Sequence, residues 1–340
     1  MVEAARAEGY GMAMTLLVFK INQLGDNLVY LPVMQAITRL RQRMRVVLFT
    51  SKTAARLHEA CCPGIEVRSF ETSQFNSSWR SPVRLARLVA AVRREKPEMC
   101  LLGDDQGSVA HVLARFSGAQ KTAGPLTEQV RLNRLLQNRV PALNQEAPAL
   151  HNWRIARALL PALPLEMPAP DLSAFGREDS NAIVIHAGAS REYQRWPVER
   201  FAELAGRMCA KHAVRWIEQP MLGNVTLDPR IERVQTKNLD HLVRVIAGAR
   251  FFIGNNSGPM HIASATGVPG LILTGPSAAE WSPVWHPERL HLLREPLLPC
   301  QPCDSAAKPV NRCLNASEPF ACLRRWSVAE VHRRVCELID

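Results

Sequence analysis

Residues 250–277 read RFFIGNNSGPMHIASATGVPGLILTGPS, and this stretch decides the fold class. RFFIG is an apolar run of strand length, and Asn255, Asn256, Ser257 and Gly258 follow it as small residues rich in hydrogen-bonding groups. Pro259 suits the first turn of a helix, where its missing amide costs nothing. The spacing predicts a helix over 258–266, and GLILTG reads as a second strand. A strand feeding a helix feeding a strand builds a parallel sheet covered by helices. A helix start of this kind also receives a phosphate group through unbonded backbone amides and the helix dipole. Asn256, Ser257 and Gly258 are therefore candidate anion-binding residues, with His261 beside them as a diphosphate contact or a core histidine. An ordinary capped helix is the plainer reading of the same residues.

Working outward, the same alternation runs through the whole chain. TLLVFK, RVVLF, IEVRSF and EMCLLG are strand-like, with helical patterns over 27–40, 53–60 and 83–94 between them. In the last of these, Leu85, Leu88, Val89 and Val92 share one face. Further helices are expected over 109–116, 128–136 and 153–160. In LLPALPLEMPAPD, Pro161, Pro164, Pro168 and Pro170 remove backbone donors and discourage helix, which marks an interdomain linker. The alternation restarts with NAIVIH, a helix over 197–211, AVRWI, a helix over 240–248 and RFFIG, and a last helix covers 328–338. Two α/β domains with parallel sheets are expected: 14–160, a linker over 161–180, a second domain over 181–325, and a C-terminal helix over 326–340. Residues 1–13 show no period.

The chain has 340 residues, enough for two domains that each bury a core. Apolar residues make up 47% and charged residues 21%, which excludes disordered and fibrous classes. The formal net charge is +11, and only seven of the 42 cations are Lys. Such an Arg-dominated excess fits phosphate or carboxylate partners, since the guanidinium fork pairs with them bidentately. Arg-rich coding in a GC-rich genome is the bland alternative. No apolar run approaches the ~20 residues needed to span a bilayer. Nine cysteines with no apolar leader before them point to a cytoplasmic protein rather than a secreted disulfide scaffold.

Ligands of open parallel sheets sit outside the carboxyl ends of the strands, so the loops after TLLVFK, NAIVIH, AVRWI and RFFIG carry the remaining candidates. In KINQLGDNLVYLPVMQAI, Gly25 supplies a turn and Asp26 falls at a helix start. Its carboxylate can cap that helix or take a proton from a substrate hydroxyl. In HAGASREYQRWPVERF, Gly188 and Ser190 follow a strand, Gln194 and Arg195 precede a helix, and Arg195 can pair with a diphosphate. Trp196 reads as packing. Glu218, at the end of AVRWI, is a candidate for ribose or sugar contacts.

In this order and at these separations the three segments resemble glycosyltransferase family 9, the heptosyltransferases of lipopolysaccharide core synthesis. The resemblance runs from about Thr15 to Leu338. It implies a GT-B fold of two Rossmann-like, doubly wound domains facing a central cleft, the first binding the acceptor and the second an ADP-activated sugar, usually ADP-heptose. It also implies inverting, metal-independent transfer with Asp26 as general base, and a phosphorylated, lipid-linked core saccharide as acceptor. The enzyme would then work as a peripheral protein on the cytoplasmic face of the inner membrane. Two departures stand out: Asn256 where the family usually has Asp, and Gln194 where it often has Lys. The two charge losses are opposite in sign, which leaves the donor half roughly neutral.

The cysteine tail carries Cys300 and Cys303 as a CxxC, followed by Cys313 and Cys322. Four thiolates satisfy the ligand count for a structural zinc or iron, although the second pair lacks the tight spacing of a zinc ribbon. A disulfide or redox pair, or reduced packing thiols, are the alternatives. Cys61, Cys62, Cys100, Cys209 and Cys336 read as small buried hydrophobes. The basic residues cluster early: Arg39, Arg41, Arg43 and Arg45; Arg84, Arg87, Arg93 and Arg94; Arg131, Arg134 and Arg139. Solvated helix faces explain most of them, while Arg131 and Arg134 are candidate contacts for acceptor phosphates. Competing readings are a protein O-heptosyltransferase with a metal-binding cysteine cluster and a relative that binds nucleotide or saccharide without turnover. A zinc-dependent nucleic-acid binder lacks the interleaved aromatics such surfaces need.

Overall fold

The computed structural model describes residues 14–40, 44–305, 308 and 310–339, so Arg41 and Arg43 lie outside the described residues. The chain divides into two units. One takes the residues up to Asn22, Val33–Ala142 and Asn152–Glu166, and the other takes Gln23–Pro32, Leu143–His151 and the chain from Met167 onward.

The first unit holds a six-stranded sheet of β1 (Met14–Lys20), β2 (Met44–Ser51), β3 (Glu66–Phe70), β4 (Met99–Leu102), β5 (Lys121–Pro125) and β6 (Asn138–Val140). Its order is β3-β2-β1-β4-β5-β6 and every pairing is parallel. β1 is buried over all but its first residue, as a strand covered by helices on both faces must be. Its last residue, Lys20, is only 1% exposed, and its ammonium is neutralised by Asp104 at 2.9 Å and Asp105 at 2.5 Å.

The second unit repeats the plan with β7 (Ile183–His186), β8 (Val214–Ile217), β9 (Glu232–Val234), β10 (Phe251–Asn255), β11 (Gly270–Leu273) and β12 (Leu290–Leu293). These strands follow the order β12-β11-β10-β7-β8-β9, again all parallel. Each sheet is a doubly wound Rossmann sheet whose strand order reverses at its first strand, β1 in one and β7 in the other. The crevice at the carboxyl ends of β7 and β10 is thus the topological switch point of the second unit.

The alternation in the sequence carries over, with some revised boundaries. The first helix is Leu24–Leu40 rather than 27–40, which places Asp26 inside its first turn. The helix expected over 128–136 is the single turn Val130–Asn133. Four strands, β5, β6, β9 and β12, have no strand signal in the sequence. These lie at or next to the sheet edges, β6 and β9 have three residues each, and β5 contains Gly and Pro, so none shows a long apolar run. Within the Pro-rich stretch, only Ser173–Phe175 forms a short 3₁₀ turn, and Leu163, Leu172 and Phe175 are buried.

Candidate active site

In the second unit, β10 runs between β7 and β11, with Gly254 paired to His186. Asn255 closes β10 and is fully buried. Its amide nitrogen donates to the carbonyls of Ala187 (2.8 Å) and Gly188 (3.4 Å), and its side-chain oxygen accepts from the Trp196 N–H at 2.9 Å. One buried side chain therefore staples the loop after β7 and the Gln194–Trp196 turn to the end of β10. The sequence reading gave Asn255 no role; the signal was a carboxamide at the end of a strand otherwise apolar on both faces.

The next residues open the helix Gly258–Thr266, with Pro259 in its first turn. Ser257 stands at the cap position without capping; its hydroxyl turns back to the Asn255 carbonyl at 3.3 Å. Asn256 is buried, and its Nδ2 has no hydrogen-bond partner among the described residues. His261 is also buried with an unpartnered Nδ1, and desolvation pushes its pKa down to about 4, so it is a neutral imidazole near pH 7. A buried polar atom left without a partner costs roughly 1–3 kcal/mol, which a ligand accepting from it would recover. Burial likewise lowers His186, at the end of β7, to about 4.

The helix start meets Gly25, in the first turn of the helix Leu24–Leu40 and in the segment Gln23–Pro32 of the same unit. A Cβ built on Gly25 would lie 3.3 Å from the Gly258 Cα and 3.8 Å from the His261 ring. Asp26 follows directly, and its Oδ2 accepts from the Gln23 N–H at 3.1 Å, so the carboxylate does cap its helix.

The other candidates fall around this centre. Gly188 is buried, and a Cβ there would overlap the Gln219 Oε1 at 1.4 Å. Both amide atoms of Gln219 are buried without a partner among the described residues, a feature with no signal in the sequence. Ser190 is exposed. Arg195 turns onto the Ala189 carbonyl (Nε, 2.8 Å) and the Met221 sulfur (3.5 Å) and lines a pocket of about 300 Å³ with Glu192, Phe320 and Arg324. Gln194 donates to Asp304 at 3.1 Å, an acceptor the sequence did not flag either. Glu218 is held by Arg233 (2.8 Å) and Gln235 (3.0 Å) at the rim of a pocket of about 470 Å³, and the Arg233 bond keeps its pKa below the usual carboxylate range. Trp196 is packing, fully buried and edge-on to Phe201.

The sequence profile of glycosyltransferase family 9 (heptosyltransferase) matches residues 86–313. The chain belongs to glycosyltransferase family 9. Lipopolysaccharide heptosyltransferase 1 of Pseudomonas aeruginosa is 30% identical over 134 residues, and the match spans 36% of this chain and 36% of that relative. The fold of this family 9 chain is the GT-B fold of solved heptosyltransferases. Escherichia coli heptosyltransferase WaaC with ADP superposes at a TM-score of 0.72 with 14% identity, covering 96% of this chain and 100% of that one. The iron-containing dodecameric glycosyltransferase TibC from enterotoxigenic Escherichia coli superposes at 0.61 with 17% identity, covering 96% and 76%.

In this family 9 chain the nine cysteines form no disulfide with one another among the described residues. Cys62 and Cys100 are buried, whereas Cys61, Cys209 and Cys336 are half-buried rather than core residues. Cys300, Cys303, Cys313 and Cys322 line one cavity of about 10 Å³ together with Tyr193, Pro276 and Asn315. Burial first, and then the other three thiols, push Cys322 up to about 12. As they stand, no three His, Cys, Asp or Glu side chains among the described residues are arranged to hold a metal ion.

In the first unit, Arg131 and Arg134 are exposed at the turn Val130–Asn133. Arg45 is bound to Glu66 and Glu95, both at 2.6 Å, which makes it part of an ion-pair network joining β2 to β3 and to the end of the helix Pro82–Arg94. Among the described residues, no helix is long and apolar enough to cross a membrane.

Proposed function

We propose that this chain is an inverting glycosyltransferase that moves a heptose from ADP-heptose to a hydroxyl of the phosphorylated lipopolysaccharide inner core, with the donor on the second unit and the acceptor on the first. The observation that carries this reading is the backbone contact of Gly25 with Gly258, which sets Asp26 one residue from the helix start suited to a diphosphate. In the reaction, Asp26 accepts the proton of the acceptor hydroxyl as its oxygen bonds to the anomeric carbon. The bond from that carbon to the diphosphate breaks, and ADP leaves with the electron pair. Backbone amides of the Gly258 helix start and the orphaned Asn256 amide are the groups suited to its developing charge. Residues 194 and 256 carry no charge, and Arg195, with two of its five donors on Ala189 and Met221, keeps the others for the diphosphate.

A test is a binding screen of the full chain against ADP-heptose and UDP- and GDP-sugars. Selective binding of the ADP-sugar supports the reading, and preference for another nucleotide removes it.

On the acceptor side, the exposed Arg131 and Arg134 are the residues we read as contacts for saccharide phosphates. Attachment to the cytoplasmic face of the inner membrane is supported by the face that carries exposed Trp79 and Val83 beside Arg80, Arg84 and Arg87. Each Arg near an anionic leaflet contributes about 1 kcal/mol.

The cysteine cavity favours a second reading, a metal-bearing relative that modifies hydroxyl side chains of proteins. Cys300, Cys303, Cys313 and Cys322 are chemically suited to zinc or iron, and small shifts of their side chains would close the set around the cavity. The Asn315 amide (3.8 Å to the Cys300 sulfur) and the Phe320 N–H (3.4 Å to the Cys313 sulfur) already donate toward thiolate positions. A metal there would be structural, clamping the tail. Elemental analysis of the purified chain tests it: about one zinc or iron per chain, lost in Cys303→Ser, supports the site, and a metal-free native chain excludes it. Incubation with ADP-heptose and either deacylated core saccharide or polypeptides decides the acceptor. A relative without turnover would leave ADP-heptose intact in both.

A further inference from the structure

Asp304 follows Cys303, is 8% exposed, and is fixed by its own backbone to the loop after β11. Its N–H donates to the Pro276 carbonyl at 3.2 Å, and its carbonyl accepts from the Ala278 N–H at 2.8 Å. Its side chain reaches the loop after β7. Oδ1 accepts from the Val310 N–H at 3.3 Å, and Oδ2 accepts from the Gln194 Nε2–H at 3.1 Å. The Tyr193 hydroxyl lies 3.3 Å from Oδ2, but its single proton has a nearer acceptor in the Val310 carbonyl at 2.8 Å. Gln194 is therefore the principal donor to Oδ2. The opposite end of the turn is held as firmly, by the Arg195 N–H on the Glu192 carbonyl and the Trp196 N–H on Asn255, both at 2.9 Å.

This arrangement settles which way the carboxamide faces. Only the NH₂ of a glutamine can donate to a carboxylate oxygen, so Nε2 must be the atom turned to Asp304. The Gln194 carbonyl oxygen is then the atom left for a ligand, and no hydrogen bond from the described residues reaches it. A carbonyl oxygen cannot bond to a diphosphate oxygen, since both are acceptors; it needs a donor such as a hydroxyl.

We propose that Asp304 is a positioning residue which commits the Gln194 amide nitrogen and so presents its carbonyl to the donor, making Gln194 a reader of a sugar hydroxyl and not of the diphosphate. This rests on the donor site proposed above. The hydroxyl belongs either to the ribose or to the transferred sugar.

The experiment measures affinities of the full chain and of Gln194→Ala, Asp304→Ala, Asp304→Asn and the double variant Gln194→Ala/Asp304→Ala for inorganic pyrophosphate, ADP and ADP-heptose. Pyrophosphate affinity is expected to stay within about twofold in Gln194→Ala, while ADP-heptose weakens by about threefold to tenfold, the range of one hydrogen bond. A loss already present with ADP assigns the ribose; a loss only with ADP-heptose assigns the transferred sugar. Asp304→Ala should reproduce the same selective loss, the double variant should be no worse than either single one, and Asp304→Asn, which keeps an acceptor for Nε2, should recover most of it. Equal weakening for all three ligands, additive losses, or no loss in Gln194→Ala would overturn the proposal. Because Gln194→Ala removes only a half-exposed side chain, it tests the idea even where Asp304→Ala misfolds. A wild-type chain that binds none of the three ligands would instead contradict the donor site itself.

Discussion

Gly25 and Gly258 meet backbone to backbone. A Cβ on Gly25 would stand 3.3 Å from the Gly258 Cα, closer than ordinary carbon contacts, whereas a Cβ on Gly258 would stand 3.6 Å from the Gly25 nitrogen, an ordinary contact. The turn that delivers Asp26 is thus seated directly on the helix start, and a side chain at residue 25 would wedge the two apart.

That asymmetry makes Gly25→Ala the more harmful of the two substitutions. Its transfer rate should fall about tenfold through a displacement of a few tenths of an ångström, with the fold retained, while Gly258→Ala should lose less than about threefold. Steady-state rates alongside thermal melting check this; equal losses would mean the contact does not position Asp26.

The capping bond of Asp26 allows its two roles to be separated. Asp26→Asn keeps an oxygen for the Gln23 N–H but cannot take a proton, so the melting temperature should hold while transfer falls by roughly 10²–10⁴. Asp26→Ala should lose both. ADP affinity should be unchanged in either variant.

His186 and His261 are buried and neutral, with pKa values lowered to about 4 from an unfolded value near 6.5. The unfolded chain binds more protons between those limits, so their contribution is complete above pH 6.5 and is lost as the pH falls toward 4. Each should withdraw on the order of 2 kcal/mol between pH 7 and pH 5. Melting temperatures across that window should fall steeply in the wild type and less so in His261→Gln; a flat profile would contradict the buried, neutral imidazoles.

Lys20 is buried at the end of β1 against Asp104 and Asp105. Lys20→Met should destabilise the chain by about 1–3 kcal/mol, because Asp104 loses the ammonium and keeps Asn152 at 2.8 Å, while Asp105, 36% exposed, is open to water. Denaturant unfolding measures it, and a stability equal to that of the wild type would mean the carboxylates find water instead.

The strands legible in the sequence were the apolar ones within the sheets, β1, β2, β4, β7, β8, β10 and β11, because burial on both faces writes a continuous apolar run; the edge strand β3, with Arg68 and Ser69 exposed, was legible from its place in the alternation. The short edge strands were not, since a three-residue strand such as Glu232–Val234 is specified by its neighbour β8 rather than by its own pattern. At the candidate site, the loops carrying Asp26, Gly188 and Asn256–Gly258 could be read from strand-to-helix spacing. The staple at Asn255 and the hold of Asp304 on Gln194 could not, because each joins residues dozens of positions apart through one side chain. The bonds of Arg195 to the Ala189 carbonyl and the Met221 sulfur were equally invisible in the sequence; they use two of the five guanidinium donors and leave the others for an anion.

The central claim is heptosyl transfer with Asp26 as the base, and mass spectrometry of the acceptor tests it most directly. Wild-type chain with ADP-heptose and deacylated, phosphorylated core saccharide should add one heptosyl residue and release one ADP, and Asp26→Asn, still binding ADP, should add almost none in the same time. Full transfer by Asp26→Asn, or an acceptor of unchanged mass with the wild type, would contradict the account.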